Sequence, residues 1–259
     1  MDRFHDYGLY SDIAEFRGGK IVNTLEWKSF WLIKQEIKNQ RVSMALSFGK
    51  DSMTMLHICH KYDLLKDIDL VMWNNSGMEY PDALEFRDYV LSRYDIPNYQ
   101  ETCPEDPFSY FRGVDILDKE KRNDFVFDCL EKPRWEMMDQ YDINCTLLGL
   151  RNEEARGRRI NYCIRGNSYW NEREKAKIIT PISLWKATDV FTYAAYENIP
   201  IHPHYGICER AGLPREEARV NFISDTDGFN TGRIAKLMTV YPEYFALLAS
   251  KGFDINRLI

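Results

Sequence analysis

No stretch of this chain reaches the roughly 18 uninterrupted apolar residues that a membrane-spanning helix needs, so no membrane partner is expected. C-x-x-C pairs are missing as well. The six cysteines (Cys59, Cys103, Cys129, Cys145, Cys163 and Cys208) are scattered, which argues against a zinc ribbon or compact cluster and reads as reduced core thiols. At the amino terminus, MDRFHDYGLYSDIAEF has neither the basic start nor the apolar h-region of a secretory signal, and a cytoplasmic location is expected. Nothing repeats at a fixed period and no segment is of low complexity, which makes one compact unit the default.

Two phosphate-binding signatures are also absent. The Walker pattern G-x-x-x-x-G-K-[ST] fails because Met44 stands at its first glycine and Asp51 follows the lysine. There is no G-x-G-x-x-G, so dinucleotide binding of the Rossmann type has no support.

What is present describes an ordinary globular protein, 259 residues long, 44% hydrophobic and 29% charged, able to bury a full core. Its net charge of −6 does not favour nucleic acid across the whole surface. One segment departs from that balance: between Arg151 and Lys177 eight Lys or Arg face four Glu, a local +4 suited to an anionic ligand.

Periodicity supplies the fold class. Residues 25–39 have helical spacing, the apolar run at 42–46 reads as a buried strand, and Met55, Leu56, Cys59 and Tyr62 continue on one helical face. IDLVMW (68–73) is a second strand, completing a βαβ unit and implying a parallel sheet. Pro81 suits the first turn of a further helix, NYQET (98–102) reads as a third strand, INCTLLGL (143–150) as a fourth and KIITPI (177–182) as a fifth. Residues 105–141 are charged, aromatic and helical in character, and helical patterns recur at 188–198 and 231–241. The expectation is an α/β, doubly wound, mainly parallel five-stranded sheet flanked by helices, with a helical carboxyl-terminal part. Such a sheet binds its ligand beyond the carboxyl ends of its strands.

One of those ends carries SFGKDS. In a strand-to-helix turn, backbone N–H groups converge with the positive end of the helix dipole behind them. Gly49 permits a close bend, Lys50 adds a point charge, and the Ser47 and Ser52 hydroxyls can donate. Downstream, Gly77 permits close approach and Glu79 can hold a metal or a ribose hydroxyl. Arg151, Arg156, Arg158, Arg159 and Arg165 offer planar forks for phosphate oxygens, about half of them expected to be surface pairs with acids such as Glu153 and Glu154. Trp185 and Asp189 read as residues that lock the start of the helix at 188–198. His202 and His204 flank Pro203 with no third ligand nearby, so no metal is assigned to them.

SFGKDS after a buried strand resembles the PP-loop, S-G-G-x-D-S, of the adenine nucleotide α-hydrolase superfamily. That superfamily includes N-type ATP pyrophosphatases, the small subunit of sulfate adenylyltransferase and phosphoadenylyl-sulfate (PAPS) reductases. Phe48 replaces a glycine, and S-F-G is the reductase-like spelling, whereas Lys50-Asp51-Ser52 leans toward the ATP-using one. Three further stretches resemble the family in order: WNNSGMEYPD (73–82), with Asn75 where an acid is usual; LLGLRNEEARGRR (147–159); and PISLWKATDVFTYAAYENIPIHPHY (181–205). AGLPREEARV resembles a branch often carried by phage. The resemblance implies an adenine nucleotide-binding domain at 41–205, between a helical lead-in (1–40) and a helical extension (206–259).

It also implies a site. Ser47, Phe48, Gly49, Lys50, Asp51 and Ser52 would hold the anionic end of ATP or PAPS, joined by Asn75, Gly77 and Glu79 and by Gly149, Arg151, Arg158 and Arg159. Lys50 and Arg151 are the expected catalytic pair, with Mg²⁺ accompanying ATP. The reductases use a carboxyl-terminal cysteine as nucleophile, and some add an iron–sulfur cluster. Residues 209–259 contain no cysteine, so no cluster is expected, and Cys208 and Cys129 are the remaining candidate nucleophiles. The expectation is therefore ATP-dependent adenylylation of an unknown acceptor with release of pyrophosphate. Sulfonucleotide reduction and a non-catalytic nucleotide-sensing module are the alternatives. A homodimer or a partner protein is compatible with each.

Overall fold

The computed structural model describes residues 2–111, 119–220 and 238–252. At its centre lies β1 (Val42–Ala45), paired in parallel with β2 (Leu70–Asn74) on one side and β4 (Cys145–Leu147) on the other, Ser43 standing opposite Leu70 and Thr146. Val42 and Met44 are fully buried, as expected of a central parallel strand covered on both faces. Its one polar side chain is satisfied across the sheet, Ser43 Oγ lying 2.9 Å from Thr146 Oγ1. Outward from this core run β3 (Tyr99–Thr102) beside β2, and β6 (Ala176–Ile179) then β5 (Ser168–Asn171) beyond β4. The order β3-β2-β1-β4-β6-β5 places the change of winding direction between β1 and β4. A crevice opens there at the strands' carboxyl ends.

The five expected strands are all present, but the sheet has six. β5 is the addition, a polar edge strand pairing antiparallel with β6, Tyr169 opposite Ile178. SYWN lacks apolar alternation because neither of its faces is buried, so its sequence carries little strand pattern. β4 stops at Leu147, leaving 148–150 as the turn that reaches the crevice.

The helices flank the sheet. α1 (Tyr10–Ile21) and α2 (Trp27–Glu36) are joined by a π-helical turn, Val22–Glu26. α3 (Lys50–Lys61) follows β1, and α4 (Ala83–Arg93) follows β2, starting two residues after Pro81 because Asp82 takes a left-handed φ of 70°. α5 (Lys119–Val126), a second π turn (Phe127–Glu131) and α6 (Lys132–Gln140) precede β4. α7 (Arg156–Arg165) leads to β5, α8 (Ala187–Tyr196) follows β6, and α9 (His204–Arg210) and α10 (Pro242–Ser250) come last. Of the helix expected at 231–241, residues 231–237, among them Ile234 and Leu237, lie outside the described residues; 238–240 are helical.

α1 crosses α8 at close range. A Cβ on Gly18 would sit 2.0 Å from the Tyr196 ring, and Arg17 pairs with Asp189 at 3.1 Å. Asp189 also accepts the Lys186 amide at 3.0 Å, while Trp185 Nε1 donates to Ser29 Oγ at 3.0 Å, so both residues do secure the start of α8. Among the described residues no helix is long and apolar enough to cross a membrane.

Candidate functional site

The turn after β1 is built by a residue that glycine usually replaces. Phe48 takes φ 57°, the left-handed region, and its ring is fully buried, edge-on to Trp73 at 5.0 Å. Gly49 is extended instead (φ −78°, ψ 160°), so the bend expected at Gly49 is made one residue earlier. Gly49 O accepts the first intrahelical hydrogen bond, from Met53 N at 2.9 Å, and the Ser52 hydroxyl at 3.0 Å. Ser47 Oγ lies 3.2 Å from Ser52 Oγ, bringing both hydroxyls to the mouth of the turn.

Gly149 answers the turn from β4. A Cβ there would lie 2.9 Å from Ser52 N and 3.0 Å from Ser52 Cα, so only glycine lets the two backbones meet. Just beyond it Arg151 is buried, although burial disfavours its charge. Asp51 Oδ1 accepts its Nε at 2.6 Å, and Glu153 and Glu154 take its other nitrogens; these carboxylates outweigh burial and hold the guanidinium above its ordinary value. Asp51 also receives buried Lys50 Nζ at 3.0 Å, and Glu154 receives Arg158. Lys50, Arg151 and Arg158 thus converge on the loop, each already held by a carboxylate. Arg156, Arg159 and Arg165 lie on the exposed side of α7, and Arg159 lines none of the cavities described below.

A cavity of about 200 Å³ opens over the turn, walled by Gly49, Lys50, Ser52, Gly149, Arg158 and Tyr205. At Ser47 and Val220 it meets a second, of about 230 Å³, lined by Met72, Trp73, Asn74, Glu79, Leu130 and Arg134. Beyond Arg158 and Leu150 lies a third, about 150 Å³, bordered by Asn161, Tyr162 and Tyr169. The polar loop cavity and the more apolar one beside it adjoin at the β1 end of the switch-point crevice.

The stretch after β2 is mostly structural. Asn75 Nδ2 donates to Glu101 at 2.8 Å, and its Oδ1 accepts the Gly77 amide at 2.8 Å, closing a turn in which Gly77 has φ 71°. Burial pushes the Glu79 carboxyl up, against the Ser76 hydroxyl and amide that donate to it at 2.8 and 3.1 Å. Neither Asn75 nor Gly77 lines the cavity beside them.

The cysteines stand apart from the three cavities. Cys208 is buried on α9 with Sγ 3.3 Å from His204 Nε2, and His204 is itself stacked on Tyr80, ring centroids 4.3 Å apart, with its Nδ1 2.9 Å from the Tyr241 hydroxyl. Cys129 is buried in the second π turn, where burial pushes its thiol up. Burial holds both His202 and His204 down to about 3, so each is a neutral core group. Among the described residues no group of three or more His, Cys, Asp or Glu is arranged to hold a metal.

Three site residues escaped sequence reasoning. Tyr205 stands in a quoted motif stretch but carries no local mark of its task; Arg134 and Arg219, which line the cavities, come from segments with no phosphate-binding pattern.

The model of the phosphoadenosine phosphosulfate reductase domain matches residues 41–207. Sulfate adenylyltransferase subunit 2 of Agrobacterium fabrum is 24% identical over 201 residues, which is 67% of this chain and 60% of that protein. The chain therefore spans well under two thirds of that relative's length. The same subunit from Caulobacter vibrioides is 23% identical over 239 residues, 83% of this chain and 75% of that one. Among solved structures, a PAPS reductase from Candida auris in a phosphate complex superposes with a TM-score of 0.55 at 15% identity, covering 73% of this chain and 88% of that one.

Proposed function

The chain belongs to the phosphoadenosine phosphosulfate reductase domain family, and from that premise we propose that it binds ATP across the two adjoining cavities and transfers its adenylyl group to an acceptor. The observation that carries this reading is the convergence of Lys50, Arg158 and the two serine hydroxyls on the loop cavity, with Arg151 lining none of the three cavities but held behind Asp51, next to a more apolar cavity of suitable character for a base. In this reading the acceptor attacks the α-phosphorus, forming the new P–O bond as the bond to the bridging oxygen breaks and pyrophosphate departs. Negative charge gathers on the leaving pyrophosphate. Lys50 and Arg158 are placed to neutralise it, and Arg151 acts through Asp51, which it holds against the loop.

No protein nucleophile is needed for such a transfer. That favours it over sulfonucleotide reduction, because none of the three cavities is lined by a cysteine among the described residues and Cys208 is sealed beneath His204. Mg²⁺ would arrive with the triphosphate as part of the substrate; such an ion keeps several waters and needs only one or two carboxylates, a demand that Asp51 beside the cavity can meet. Assembly with a partner chain is supported by the names of the relatives, which are given as second subunits.

Pyrophosphate release from ATP and Mg²⁺, measured alone and with sulfate or other small acceptors, tests the proposal. Acceptor-dependent release, lost in Lys50→Ala, is expected. Sulfite release from PAPS with a thiol donor would instead establish the reductase. Tight ATP binding without turnover across acceptors would favour a nucleotide sensor, a role compatible with cations that are already paired.

A further inference from the structure

Tyr205 reaches the phosphate loop from α9, 155 residues downstream in sequence, and its phenol oxygen accepts the Lys50 amide at 2.9 Å. That amide is the first of the α3 helix, one of the N–H groups that a strand-to-helix turn would ordinarily offer to an anion. Here a side chain already occupies it. A phenol has one proton to donate as well as lone pairs to accept with, and among the described residues that proton has no acceptor. The same residue walls the loop cavity, its oxygen about 3.5 Å from where a Gly49 Cβ would lie.

Three features make this hydroxyl a built donor. The ring is fully buried and packed edge-on against Phe191 at 5.3 Å, so its direction is set by the core rather than by the ligand. Lys50 Nζ lies 5.5 Å from the ring centroid, tying the ammonium to the same side chain. Burial, aided by Asp51, pushes the phenol well above its ordinary value, so it stays protonated and does not repel an anion. Lys50, Arg151 and Arg158 each have a carboxylate partner to give up or share. Among the described residues the phenol proton has none.

We propose that Tyr205 is a phosphate-contacting residue: it takes the Lys50 amide as an acceptor and passes a hydrogen bond on, through its own proton, to a non-bridging oxygen of the nucleotide's anionic end. This rests on the assignment of the loop cavity to that anionic end. The consequence is that the first helical amide acts on the ligand through a relay, and α9 becomes part of the binding site.

Isothermal titration of wild type and Tyr205→Phe with ATP, inorganic pyrophosphate and adenosine separates this from a structural role. Loss of a hydrogen bond to a charged oxygen is expected to weaken pyrophosphate and ATP by about tenfold or more, leaving adenosine within about twofold. Equal pyrophosphate affinity in the two proteins, or parallel weakening of all three ligands, would overturn the role of Tyr205 alone. A wild type that binds adenosine but no pyrophosphate overturns the loop assignment and this inference together. Should the variant fold poorly, a crystal structure of wild type with pyrophosphate decides: a phenol oxygen within ~2.5–3.0 Å of a phosphate oxygen is expected, and one beyond hydrogen-bond reach overturns the proposal.

Discussion

Phe48 carries two opposed energies. Its left-handed φ of 57° costs a bulky residue roughly 1–2 kcal/mol, while its buried ring, wedged against Trp73, is of the kind worth about 3–5 kcal/mol when truncated. Packing wins, and the loop is held open by a buried side chain in a backbone conformation that favours glycine. Phe48→Gly is therefore expected to lower unfolding free energy by about 2–3 kcal/mol despite relieving the backbone, as measured by urea titration. Gly149 is the converse case: its missing side chain is what matters. Gly149→Ala would push the β4 turn off Ser52, and a loss of about 1–3 kcal/mol together with weakened ATP binding is expected by melting and titration. Lys50→Ala removes a charge-assisted contact, for which roughly 10- to 100-fold weaker ATP binding is expected.

At the scale of elements, the crossing of α1 on α8 decides how the lead-in meets the sheet. Gly18 lets the helices touch, and the inserted Cβ would strike the Tyr196 ring near its base, where the side chain cannot swing away cheaply. Gly18→Leu is expected to cost several kcal/mol, visible as a lower Tm, while leaving the nucleotide affinity of the folded fraction unchanged. The amino-terminal segment is tied down again by buried Arg215, which pairs with Glu209 at 2.7 Å and with Asp6 at 3.3 Å. α7 behaves differently. No residue of it is buried, and its sequence gives a helix without fixing a partner for Ile160 or Ile164.

For the whole molecule, buried histidines shape the response to acid. His202 and His204 are held down to about 3 by burial, below the ordinary 6.5 of the unfolded chain. Because the unfolded state binds these protons more tightly, their contribution is complete above pH 6.5 and declines as pH falls toward 3. The steepest loss is about 1.4 kcal/mol per pH unit for each histidine. Glu36 joins below its ordinary 4.5, since the Lys177 ammonium and the Ser168 hydroxyl hold its carboxyl lower in the folded protein. Urea titrations at stepped pH should show stability falling from about pH 6.5, and His204→Phe, which keeps a ring stacked on Tyr80 but loses the contact with the Tyr241 hydroxyl, should remove about one proton from that slope.

Local pattern determined a good deal of this protein by itself. A buried apolar run followed by S-F-G-K-D-S and helical spacing specifies strand, turn and helix through short-range sterics alone, and strand segments separated by helices imply a parallel sheet. That Glu153 and Glu154 would pair with neighbouring arginines was legible for the same reason, being local along the chain, but not that the arginines paired would be Arg151 and Arg158, which the resemblance assigned to the ligand. Tertiary structure decided the rest. The edge strand β5 exists because β6 offers it a partner, the bend falls on Phe48 because Trp73 covers its ring, and Tyr205 meets the Lys50 amide only once α9 is packed. A hydrogen bond between residues 155 positions apart has no period and no spacing rule; it is fixed by where two buried surfaces come to rest.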